Sequence, residues 1–219
     1  MTDEAYRYQE ADSVLLAWER GVWEPSPPPP AVHSAAYRRK IVGLFKGLWT
    51  GSASPSLLSL GCGNAMVELE LSQERFDVLA TDYAGAAVAL AAGKGLKAEI
   101  LDVLAPPVPS RLYDFVYADG LLGHMAVQPQ GVERLAATMA TFAGPGARIV
   151  MAHELADGEE AVWNVTGHAG SRFYRPPADE AWQLLSSCLP GWRRHSVDIA
   201  HYIRPTRGPR RREILVLTQ

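Results

Sequence analysis

Two cysteines in 219 residues, Cys62 and Cys188, are too few and too far apart for a disulfide framework or a zinc site, so both are expected as free thiols and no metal is expected. Long apolar runs are missing too. Nothing approaches the ~20 residues that span a bilayer, and the opening Met1-Thr2-Asp3-Glu4 has neither the basic nor the apolar region of a signal peptide. The expectation is a cytoplasmic protein without membrane association. Nor is one sign of charge in surplus: Lys and Arg number 21, Asp and Glu 24, and the formal net charge is −3. That balance gives no global attraction to nucleic acid, so partners have to be argued locally. No internal repeat is visible, and the length suits one elaborated domain.

What is present is a change of pattern along the chain. Ala11, Val14, Leu15, Trp18 and Val22 recur at steps of three and four, which predicts a helix ending near Gly21. The prolines between Pro25 and Pro30 cannot donate backbone hydrogen bonds and predict an extended connector. From Ala31 to Trp49 the stripe Tyr37, Ile41, Leu44, Phe45, Leu48 and Trp49 predicts a second helix, stopped by Thr50-Gly51-Ser52. Short apolar runs then alternate with helical stretches. Strands are expected at Ser56 to Leu60, Asp77 to Ala80, Ala98 to Leu101, Asp114 to Tyr117 and Arg148 to Ala152. Helices are expected at Ala65 to Ser72, Gly85 to Ala92 and Val132 to Phe142, an alternation that signals a parallel α/β sheet. After a loop from Ala156 to Pro177 come a helix over Ala178 to Cys188 and two strands, Trp192 to Ile203 and Glu213 to Leu217. Prolines and glycine in the connector Arg204 to Arg212 point to an antiparallel hairpin. Its arginines, Arg204, Arg207, Arg210, Arg211 and Arg212, read as a solvated tip rather than a phosphate site.

The residues able to carry chemistry cluster where strands end. Leu60-Gly61-Cys62-Gly63-Asn64-Ala65 puts two glycines where a strand turns into a helix, which lets backbone amides approach a ligand. Asp82 follows about twenty residues later, at the position from which a carboxylate can accept ribose hydroxyls. A nucleoside is implied. The absence of a third glycine after Gly63 argues against a dinucleotide.

These motifs, together with Asp102, the run Tyr113 to His124 and the turn and strand Gly144 to Val150, resemble the class I S-adenosylmethionine (SAM)-dependent methyltransferases. The resemblance covers roughly Ser56 to the C-terminus. It implies a Rossmann-like α/β fold: a mostly parallel seven-stranded sheet, a C-terminal antiparallel hairpin and an N-terminal helical lid. Residues 1–50 would form the lid and 51–219 the SAM-binding core, within one structural domain. It also implies cofactor contacts from Gly61, Cys62, Gly63, Asp82, Tyr83, Asp102, Val103, Ala118 and Asp119. Tyr6 and Tyr8 are candidates to close over the methionine end with an aromatic face. Two departures stand out: Ser59 where the family usually has Asp or Glu, and Ala65 where it often has a third glycine.

Methyl transfer is chiefly positioning and desolvation, with a base where the acceptor needs one. His124 and His153, at the ends of the fourth and fifth strands, are the candidates for that base, and each has an ordinary use as a loop cap. Asn164, His168, Arg172 and Tyr174 are taken together as candidate substrate contacts. The fourth-strand loop lacks the Asn/Asp-Pro-Pro-aromatic sequence of methylases acting on nucleic-acid amino groups, which favours a small metabolite methylated on O or N. A monomer or homodimer is expected. Two further readings remain open. One is a SAM-consuming cyclase that releases methylthioadenosine and azetidine-2-carboxylate instead of S-adenosylhomocysteine. The other is a non-catalytic SAM-binding regulatory protein.

Overall fold

A leucine-rich stretch between Pro55 and Gly61 forms an inner strand of the sheet, β1 (Ser56–Leu60). The computed structural model describes residues 12–21, 31–127, 130–157, 162–165, 172–204 and 208–219. Tyr6, Tyr8, His168 and the proline-rich connector lie outside the described residues.

Ahead of β1 come α1 (Asp12–Glu19), a single 3-10 turn (Ala31–His33) and α2 (Ala35–Leu48). The Ser34 side chain accepts from the Tyr37 amide and so caps α2, a use for which serine is well suited. After β1 follow α3 (Met66–Gln73), β2 (Asp77–Asp82), α4 (Gly85–Gly93), β3 (Lys97–Ile100), β4 (Tyr113–Asp119), α5 (Leu121–Met125), α6 (Gly131–Phe142) and β5 (Ala143–Glu154). The chain then forms β6 (Val162–Val165), β7 (Arg172–Arg175), α7 (Glu180–Ser186), β8 (Arg193–Arg204) and β9 (Gly208–Thr218).

Seven strands make one sheet in the order β3-β2-β1-β4-β5-β9-β8, and β6 and β7 pair as a separate two-stranded sheet. The first five strands of the large sheet are parallel, and β9 and β8 close it as the antiparallel hairpin. The small sheet corrects the expectation of an irregular loop from Ala156 to Pro177.

Alternation along the strands divides the core in two. Leu58, Leu60, Val116, Ala118, Ile149 and Met151 face α5, α6 and α7. Leu57, Phe115, Tyr117 and Val150 face α2 and α3. Phe45 of α2 is fully buried there, edge-on to Phe76, Phe115 and Tyr117 with ring centroids 5.3 to 6.0 Å away. Thus α2 is bound into the sheet's core. By contrast, α1 packs Leu15 and Trp18 on Ala84 and Ala87 at the start of α4.

Parallel pairing brings the ends of successive strands to one edge. Leu60 sits beside both Thr81 and Ala118, Asp82 beside Ile100, and Asp119 beside Ala152. That carboxyl edge is where open α/β sheets place their ligands.

Candidate functional site

At this edge β1 leaves the sheet through a left-handed turn, with Gly61 at φ +69°, Gly63 at +51° and Ala65 at +50°. A β-carbon on Gly63 would meet nothing within 4 Å, so this side of the turn is open to a ligand. Ala65 occupies the left-handed conformation despite its side chain, which is packed with Cys62, Ala80, Ala91 and Leu96. That burial offsets a conformational cost of roughly 1–2 kcal/mol.

Asp82 closes the turn from the neighbouring strand. Its Oδ2 accepts from the Gly63 amide at 2.9 Å and its Oδ1 from the Ala84 amide at 2.8 Å. Burial raises its pKa, and the amides of Ala84, Gly63 and Tyr83 work against the rise. A carboxylate has about four acceptor sites, so these three amides leave about one free. Asp102 follows β3 with its Oδ1 taking the Leu104 amide at 2.9 Å, and Val103 is buried beside it. Cys62 is buried, which pushes its thiol well above the ordinary range, and Cys188 is also a free thiol.

The Ser59 position, uncharged in the sequence, has gained a carboxylate from elsewhere. Ser59 Oγ donates to Glu68 Oε1 at 2.6 Å, and both residues are buried. Burial pushes Glu68 up to about 7; the Ser59 bond lowers it and the nearby charge of Asp119 raises it. Sequence reading missed Glu68, although it falls with Val67 and Leu71 on the buried stripe of α3.

Across the edge, Asp119 is the hub of a second buried group. Tyr37 and Tyr117 both donate to its Oδ2 at 2.8 Å, and the Arg212 guanidinium donates to its Oδ1. Burial opposes the charge on Arg212, but Asp119 and its neighbours outweigh that and raise its pKa well above the ordinary value. The solvated-tip expectation is therefore corrected for three arginines: Arg212 is buried against Asp119, Arg211 donates to the Ala156 carbonyl at 2.8 Å, and Arg210 lies 3.5 Å from Glu154. All three belong to β9 rather than to a connector.

The two histidines sit on the other side of the sheet from Tyr37. His124, in α5, packs edge-on to Phe173 of β7 with centroids 4.7 Å apart. Burial, helped by Arg212, lowers its pKa to about 3, which leaves a neutral imidazole. His153 Nε2 lies 3.2 Å from Glu213 Oε2, and Glu213 Oε1 accepts from the Asp179 amide at 2.9 Å. Burial lowers the His153 pKa in spite of Glu213.

Of the candidate substrate contacts, Asn164 and Arg172 lie in the small sheet, where Asn164 pairs with Phe173 and Arg172 with Val165. Tyr174 is buried and donates to Glu180. The small sheet docks on α5 through Phe173, whose ring lies where a β-carbon on Gly123 would be, 2.3 Å away. On the opposite flank Asn64 Nδ2 donates to the Leu15 carbonyl at 3.1 Å and to Glu19 at 2.9 Å, which fastens α1 to the glycine turn. Among the described residues no group of His, Cys, Asp and Glu could hold a metal ion, and no helix is long and apolar enough to cross a membrane.

A family model described as a methyltransferase domain matches residues 33–196. A tabtoxin biosynthesis enzyme of Pseudomonas amygdali pv. tabaci is 35% identical over 122 residues, covering 54% of this chain and 47% of that protein. The chain thus spans about half the length of this curated relative. Among solved structures, the 1,6-didemethyltoxoflavin N1-methyltransferase of Burkholderia thailandensis, with its substrate and S-adenosylhomocysteine bound, has a TM-score of 0.66 at 17% identity, covering 97% of this chain and 92% of that one. A SAM-dependent methyltransferase of Methanosarcina mazei has a TM-score of 0.66 at 14% identity, covering 80% and 96%. The (4+2) cyclase SpnF has a TM-score of 0.65 at 15% identity, covering 94% and 92%. At such identities the structural likeness speaks to the fold.

Proposed function

The chain belongs to the methyltransferase-domain family, with SAM as its cofactor, and from that premise we propose that it transfers the SAM methyl group to an O or N atom of a small metabolite. The observation that carries this reading is the meeting of an open glycine turn with the Asp82 carboxylate at one edge of the sheet. Gly61, Cys62 and Gly63 would line the nucleoside, Asp82 and Tyr83 the ribose, and Asp102 and Val103 the adenine. Ala118 and Asp119 would border the reacting end, with Tyr8 a candidate to cover it. The curated relative, named for tabtoxin biosynthesis, and the structural neighbour that binds 1,6-didemethyltoxoflavin support a biosynthetic role on a small substrate.

SAM supplies an activated methyl group on a sulfonium, so the protein's own work is to orient the acceptor, exclude water and receive a proton where one is lost. His153, held by Glu213, is the better oriented candidate base, while His124 at about 3 is suited to accepting a hydrogen bond as a neutral ring. Asn164, His168, Arg172 and Tyr174 are proposed to bound the acceptor. The expected setting is cytoplasmic, as a monomer or homodimer acting without nucleic acid.

One observation favours a second reading, cyclisation of SAM itself. Glu68 titrates near neutrality beside the glycine turn and is suited to take a proton from an amine. The freed nitrogen lone pair would bond to its own Cγ while the Cγ–S bond breaks. The sulfur would leave with that electron pair as methylthioadenosine, and the other product would be azetidine-2-carboxylate. Incubating the purified protein with SAM alone and analysing the products by mass spectrometry separates the two. Methyl transfer predicts unconsumed SAM until an acceptor is supplied. Enzyme-dependent methylthioadenosine with the cyclic amino acid would replace it with cyclisation.

A further inference from the structure

Resting on the reading that SAM binds at this edge, we propose that Glu68 receives the ammonium group of the cofactor's methionine end, in place of the carboxylate that Ser59 lacks. Ser59 lies one residue before the end of β1, and its hydroxyl holds Glu68 Oε1 at 2.6 Å, so the carboxylate of α3 is fixed beside the end of the strand that leads into the glycine turn. Glu68 is within electrostatic reach of Cys62 in that turn and of Asp119 at the end of β4. Glu68 is thus close to both the glycine turn and the end of β4, the two places to which the proposed function assigns the cofactor.

The charges point the same way. Of the three glutamates buried among the described residues, Glu154 has Arg175 and Arg210, and Glu213 has His153. Glu68 makes no ion pair among the described residues. The nearby cations are committed elsewhere: Arg212 to Asp119, and Lys94 to Glu19 and the Asn64 carbonyl. A buried carboxylate held by one hydroxyl and its own backbone amide, with no cation paired to it and the charge of Asp119 nearby, is under-neutralised, a costly arrangement that a bound ammonium relieves. The competing account is that Glu68 only supports the first turn of α3, where an acidic residue suits the helix dipole.

The two accounts differ in which ligand feels the change. S-adenosylhomocysteine carries the amino group, whereas 5′-methylthioadenosine shares the nucleoside and thioether but lacks the amino-acid end. Calorimetric titration of both ligands into the full chain is expected to show Glu68→Gln weakening S-adenosylhomocysteine about tenfold or more, as for loss of a charge-assisted contact. Methylthioadenosine should bind unchanged. Glu68→Asp, which keeps the charge and withdraws it by one methylene, should lower the ratio of the two affinities in the same direction, and it carries the test if the glutamine variant does not fold. Equal losses for both ligands, or none for either, would overturn the assignment to Glu68 alone. A wild-type protein that binds neither ligand would instead remove the SAM reading on which the assignment rests.

Discussion

Arg212 of β9 donates to Asp119 of β4 across the width of β5, joining residues 93 positions apart at the carboxyl edge of the sheet. Tyr37 and Tyr117 complete the group from α2 and from β4 itself. Replacing Arg212 with Met leaves a buried negative charge without its cation, and a loss of about 3–5 kcal/mol is expected. Urea unfolding measures it. Asp119→Asn combined with Arg212→Met should cost less than the sum of the two single changes, because the second removes the charge that the first strands. Additive costs would show that the pair is not coupled.

Gly123 and Phe173 make a separate test of how the small sheet is docked. A β-carbon on Gly123 would fall 2.3 Å from the Phe173 ring, so Gly123→Ala forces β7 away from α5. The expected cost is about 1–3 kcal/mol. Adding Phe173→Leu should recover part of it in thermal unfolding. If Gly123→Ala alone melts like the wild type, the ring is not fixed over α5.

Two groups give opposite dependences of stability on pH. Glu68 has a folded pKa of about 7 against an ordinary 4.5, so the folded state binds its proton more tightly. The stability it contributes is fully present below 4.5 and is lost as pH rises through about 7. His124 is lowered from 6.5 to about 3, so its contribution is present above 6.5 and is lost as pH falls towards 3. His33 and His153, also lowered by burial, act in the same direction as His124. Because the histidines are common to both proteins, the Glu68 contribution is read from the wild type against Glu68→Gln without ligand: the wild-type urea midpoint should gain on that of the variant as pH falls from about 8 towards 6. A difference between the two midpoints that does not change with pH over that range would contradict the near-neutral titration of Glu68.

How far the sequence foretold this molecule depended on whether the partners were close along the chain. β1 was legible because Pro55 and Gly61 bracket a short leucine-rich run, and the sheet followed from the alternation of strands and helices. The glycine turn and Asp82 were legible because they sit at a fixed spacing in one β-α-β unit. β6 and β7 were not, being four residues each in a stretch dominated by glycine and polar residues. Arg212 was taken for a surface residue because arginine runs usually are; its partner on β4 became visible only when the sheet was assembled. Glu68 stands in Val67-Glu68-Leu69-Glu70-Leu71, where composition alone does not tell it from Glu70. Only the helical period, which puts it on the stripe with Leu71, marked it as an inward carboxylate.

The most direct test of the account is calorimetric titration of SAM into the wild type and into Asp82→Ala. Asp82 joins the glycine turn to the end of β2 and holds the acceptor site assigned to the ribose. Measurable binding by the wild type and its loss in the variant are expected, with the fold retained by circular dichroism. An affinity unchanged by Asp82→Ala would contradict the placement of the cofactor at this edge of the sheet.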